Sequence, residues 1–97
     1  MSGEARLDLD DVVEIGRQFR LQWEQAQQAY VLLYPEGMVK LSQSAGEILK
    51  CIDGKLSIAA VVKNLEQVFP GADLRQDVMN FMEVAYERGW IRPKNAV

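Results

Sequence analysis

The chain has 97 residues, no histidine and one cysteine, and carries a formal net charge of -3. That length suits one small domain with a modest core. Without histidine the commonest general base and the commonest zinc ligand are both missing, and a lone cysteine rules out an internal disulfide or a Cys-based metal cluster. No run of about 20 apolar residues is present, so no transmembrane helix is expected.

The charge is uneven. Residues 1–16 set Glu4, Asp8, Asp10, Asp11 and Glu14 against Arg6, a net of -4, which leaves +1 for residues 17–97. The opening segment, MSGEARLDLDD, is acidic and has no apolar h-region, so no secretory signal is expected. A cytoplasmic protein with a reduced Cys51 thiol is the corresponding expectation. Residues 1–16 show no clear period and read as an acidic N-terminal arm, a loosely tied terminus, with an arm that packs on the domain or swaps onto a second copy as the alternative. Residues 17–97 read as the folded domain.

From Phe19 the period is two. Phe19, Leu21 and Trp23 alternate with Arg20, Gln22 and Glu24, as in a half-buried strand. Residues 25–28 are polar and form a turn. Tyr30-Val31-Leu32-Leu33-Tyr34 is apolar on both faces, as a central strand requires. Pro35-Glu36-Gly37 turns the chain, and Met38-Val39-Lys40-Leu41 returns as a third strand. The third strand has an edge with no partner in sequence order.

After Leu41 the period becomes helical. Ser42 or Ser44 can cap the first helix, Ser44 with Glu47 as a capping box. Ala45, Ile48, Leu49 and Ile52 form its apolar face, and Asp53-Gly54 stops it. Ser57 caps a second helix with the stripe Ile58, Val61, Val62, Leu65 and Phe69, ended by Pro70-Gly71. Asp73 with Gln76 suits a capping box for a third helix running to about Arg88, with Gly89 as its C′ residue. The fold class is thus α+β: a three-stranded antiparallel meander followed by three helices, a winged-helix-like domain.

No group of residues supports catalysis. Ser42, Ser44 and Ser57 occupy cap positions, and no histidine is present to activate a hydroxyl. The glycines end elements and form no phosphate-binding loop. No catalytic residue, metal ligand or cofactor is expected, and the chain reads as a non-enzyme. The third helix carries the useful signal. Leu74, Val78, Phe81 and Ala85 suffice to face a core, yet Met79, Met82 and Tyr86 widen the apolar arc. Those extra residues either complete the core or line a groove beside the open strand, where an extended peptide could add as a strand. A nucleic-acid reading of a winged-helix-like domain meets an obstacle in the same helix. Asp73, Asp77, Glu83 and Glu87 outnumber Arg75 and Arg88, so it would repel phosphates. A dimerisation domain is the other alternative, since an open edge and a loose arm both invite self-pairing into a homodimer.

The ordered series Phe19-Arg20-Leu21-Gln22-Trp23-Glu24, Tyr30 to Gly37, Lys40-Leu41-Ser42, Ala45 with Glu47-Ile48-Leu49, Asp53-Gly54, Phe69-Pro70-Gly71-Ala72-Asp73-Leu74 and Glu87-Arg88-Gly89-Trp90-Ile91 resembles the PqqD family of pyrroloquinoline quinone (PQQ) biosynthesis. The likeness spans about residues 17–92. It implies a peptide chaperone, or RiPP recognition element, with a winged-helix-like fold that does not bind DNA. It further implies that the precursor peptide PqqA is held and presented to the radical SAM enzyme PqqE, whose clusters and S-adenosylmethionine belong to that enzyme. In related recognition elements the leader peptide adds along the third strand against the third helix. Carried onto this sequence, the peptide-binding residues implied are Met38, Val39, Lys40, Leu41, Arg75, Val78, Met79, Met82 and Tyr86. A groove lined by Val78, Met82 and Tyr86 would take apolar side chains, with Arg75 and Lys40 at peptide carboxylates.

Overall fold

The computed structural model describes residues 7–94. Along the chain come β1 (Val13–Ile15), β2 (Arg20–Glu24), β3 (Ala29–Tyr34), β4 (Gly37–Lys40), α1 (Gln43–Lys50), α2 (Ile58–Val68), α3 (Arg75–Glu87) and β5 (Ile91–Pro93). The expected meander is present as an antiparallel sheet in the order β2-β3-β4. Its register sets Leu21 opposite Leu32 and Trp23 opposite Tyr30 on one side, and Leu32 opposite Val39 on the other. β3 is central, and Val31 and Leu32 are fully buried, which explains why its sequence is apolar on both faces.

Each hairpin turn has a local cause. Pro35 and Glu36 span the two positions between the paired residues Tyr34 and Gly37. At the other turn Gln28 takes φ 53, in the left-handed region, while its side-chain amide donates to the Gln25 carbonyl at 2.9 Å.

Helices cover one face of this sheet. α1 crosses β3 so closely that a Cβ at Gly46 would lie 2.9 Å from the Tyr30 ring, so the glycine sets the approach of helix to strand. Leu49, Ile58, Val61, Val78 and Met82 join Leu32 in one core. The apolar stripes expected of α1 and α2 are the buried ones, apart from Phe69, which stays exposed. Ser42 caps α1, accepting from the Ala45 N–H at 3.2 Å, and Ser57 caps α2, accepting from Ala60. Glu47, expected in a box with Ser44, instead forms an ion pair with Lys50 at 3.1 Å. The capping box expected at Asp73 and Gln76 is likewise absent. Leu74 is the N-cap, its N–H donates to Glu66 of α2 at 2.9 Å, and Gln76 bonds Asn80.

The principal departure from expectation concerns the two ends of the described chain. β1 and β5 form a second, two-stranded antiparallel sheet, with Glu14 opposite Arg92 and an ion pair of 2.7 Å between them. Leu7 and Val13 are buried in the core, and the Leu7 N–H donates to Glu83 of α3 at 3.0 Å. The Leu9 and Asp11 carbonyls accept from Ala59 and Ile58 at the start of α2. Of the arm expected over residues 1–16, residues 7–16 therefore pack on the body of the fold, and residues 1–6 lie outside the described residues. Among the described residues no helix is long and apolar enough to cross a membrane.

Candidate functional site

A concavity lies where the end of β4 runs into α1 and faces α3. It is a groove of about 950 Å³. Leu41, Ala45, Ile48, Leu65 and Val78 line it and are mostly buried, forming its floor. Phe69, Leu74, Phe81, Val84 and Trp90 form its apolar walls, and Lys40, Glu47, Asp77 and Arg88 carry charge at the lining. Val84 is 43% exposed and Phe69 46%, large apolar side chains left open to water. The wall near the end of α3 is stiffened by ring contacts. Phe81 and Trp90 lie 6.4 Å apart at a tilt of 47°, and the Arg88 guanidinium sits 5.4 Å from the Trp90 ring centre.

The backbone beside this groove has an open edge. Among the described residues β4 pairs only with β3. The Leu41 N–H donates to the Tyr30 carbonyl at 3.0 Å, so residue 41 turns its polar backbone toward β3. Alternation along the strand then turns the N–H and C=O groups of Val39 inward and those of Met38 and Lys40 outward. An extended chain lying against that edge would send alternate side chains toward the groove.

The residues expected to bind peptide divide into two groups. Lys40, Leu41 and Val78 line the groove, and Met38 and Val39 belong to its bordering strand. Arg75, Met79, Met82 and Tyr86 are outside its lining. Met82 is fully buried, and Met79 and Tyr86 pack partly buried against the core. Of the two readings open for the wide arc of α3, core or groove, the packing matches the core for the methionine flank. Its methionine flank completes the core, and its Phe81–Val84 flank opens onto the groove. Sequence reasoning missed Phe69, Leu74, Asp77, Phe81, Val84, Arg88 and Trp90. The available signal was Val84, an apolar residue alone among Asp77, Asn80, Glu87 and Arg88 on the polar side of the helix.

Cys51 is half-buried at the end of α1, and burial raises its thiol pKa, opposed by the neighbouring Lys50. This favours the unreactive thiol form. Asp53 accepts from the backbone N–H groups of Lys55 and Leu56, at 2.8 and 3.0 Å, which holds its carboxyl below the usual value. Both groups shape the α1–α2 connection and lie away from the groove.

The chain thus sets an edge strand beside an apolar cleft within a domain of a meander and three helices. That fold matches the solution NMR structure of the PqqD truncation of Methylobacterium extorquens PqqCD, a functional and stand-alone RiPP recognition element, with a TM-score of 0.75 at 21% identity, over 91% of this chain and 96% of that one. The family model for coenzyme PQQ synthesis protein D (PqqD) matches residues 29–91. The PqqA binding protein of Azotobacter vinelandii is 55% identical over 84 residues, covering 86% of this chain and 91% of its own length. That of Methylococcus capsulatus is 41% identical over 86 residues, covering 89% and 92%. The chain belongs to the PqqD family.

Proposed function

We propose that this chain is a peptide chaperone of PQQ biosynthesis: it binds the precursor peptide PqqA by strand addition at β4 and presents it to the radical SAM enzyme PqqE in the cytoplasm. The observation that carries this reading is the unpaired β4 edge running into the apolar groove. Family membership and the relatives named PqqA binding protein support it. The peptide backbone bonds to Met38 and Lys40, and its alternate side chains enter between Phe81, Val84 and the α1 floor. Lys40, Asp77 and Arg88 set orientation and encounter rate more than affinity. In this reading the chain performs no chemistry of its own. It holds substrate near the enzyme and so raises its effective concentration.

The test is an NMR titration of the labelled chain with a synthetic PqqA peptide and a scrambled control. The true peptide alone should shift the Met38 and Lys40 amides. Val84→Asp should weaken binding by about tenfold or more, as expected when a charge enters an apolar contact centre, while leaving circular dichroism unchanged. A folded Val84→Asp variant with unaltered affinity would remove the groove as the site. Absence of binding, with and without PqqE, would overturn the chaperone reading.

A further inference from the structure

The wall that α3 gives to the groove has a charge at each end. Asp77, Phe81, Val84 and Arg88 all line it. Steps of three and four positions put them in one stripe along the helix. At about 1.5 Å per residue the stripe is about 16 Å long, or about five residues of extended chain. Its order is acid, two apolar side chains, base.

Neither charge is used within the fold. Asp77 and Arg88 are exposed, and neither forms an ion pair with a described residue. Glu47, the other acid of the lining, is matched by Lys50 at 3.1 Å. Arg88 is steadied at the wall by Trp90, 5.4 Å from the ring centre, and its planar fork of donors suits a carboxylate. An acid in the first turn and a base at the C-cap also complement the helix macrodipole. The macrodipole acts on every face of a terminal turn, whereas both charges fall on the one face that lines the groove.

We propose that this stripe selects the order of charge along the bound peptide. The groove takes an extended segment with a basic residue beside Asp77, two apolar residues at alternate positions beside Phe81 and Val84, and an acidic residue beside Arg88. This rests on the peptide-binding reading above and specifies the segment bound. Strand addition at β4 favours antiparallel pairing. A segment with its charges exchanged must therefore face like charges, or turn round and lose the better pairing.

The test is an NMR titration of the labelled full chain with two synthetic peptides of one composition. Each carries two leucines at alternate positions, with lysine two positions to one side and glutamate two positions to the other. The second peptide has lysine and glutamate exchanged. One should bind about fivefold more tightly than the other at low salt, and the preference should shrink at about 0.5 M salt. Asp77→Arg combined with Arg88→Asp should invert the preference. Circular dichroism checks folding. If that variant does not fold, Asp77→Asn and Arg88→Gln should each cut the preference to about twofold. A role confined to the helix ends would lower the melting temperature and leave the preference unmoved. Equal affinities for the wild type, a preference unmoved in the variants, or binding of neither peptide overturns the charge order. A PqqA titration run alongside separates the two readings. If PqqA still shifts the Met38 and Lys40 amides, only the charge order falls. If it does not, the peptide-binding reading falls with it.

Discussion

Met82 and Val84 stand two positions apart on α3 and do opposite work. Met82 is sealed within the core, and Val84 is open at the groove wall. Helical geometry makes this natural, since two steps carry a side chain most of the way to the other side. The consequence is measurable. Met82→Ala should lower unfolding stability by about 3 kcal/mol through a cavity, read as a shift in denaturant midpoint. Val84→Ala should leave that midpoint almost unmoved. Sequence reading found the breadth of the α3 arc and left open whether Met79, Met82 and Tyr86 complete the core or line a groove. Periodicity gives the angle between side chains and no origin for it. The origin is set by α2, whose Glu66 receives the N–H of Leu74, and by residue 7, which docks on Glu83.

Elements with local causes were legible, and elements with distant causes were not. β2, β3 and β4 pair with sequence neighbours across short turns, and α1 and α2 start at serine caps, so pattern and punctuation suffice for them. β1 and β5 are three residues each, too short to show a period, and their partners lie at opposite ends of the described chain. Pro93 also argues against a strand by ordinary rules. What fits them together is Gly16. Its N–H donates to the Trp90 carbonyl at 2.7 Å, and a Cβ there would lie 2.5 Å from the Gly89 carbonyl oxygen. Backbone cannot yield as a side chain can. Gly16→Ala should therefore cost about 2 kcal/mol and lower the melting temperature by roughly 10 °C, measured by circular dichroism, with loss of the β1–β5 amide protection in hydrogen exchange.

At the scale of the molecule, one core joins both sheets to all three helices. Leu32 from the meander, Val13 and Ile91 from the terminal ribbon, and Met82 from α3 belong to the same cluster. Cooperative unfolding follows from that continuity. Trp23 reports on the meander and Trp90 on the junction of α3 with β5, so each can be watched alone. Trp23→Phe and Trp90→Phe variants should give denaturation curves with coincident normalised transitions once their midpoints are aligned. Separate transitions would mean that the ribbon and the meander melt as distinct units. The division expected near residue 16 was a reading of charge and composition, which follow solvent exposure along the chain and carry no information about which distant segment a strand will meet.

The ribbon of β1 and β5 also imposes an order in time. It joins residue 13 to residue 93, a closure that must wait for residue 93, long after the strands of the meander are made. During synthesis the meander, built from neighbours, can assemble while the helices are still being made. The open edge at β4 is then complete before the core beneath it is shut. The nascent chain carries Val13 without its β5 partner until β5 leaves the ribosome, so a ribosome stalled before that point would hold a protein with its seam open.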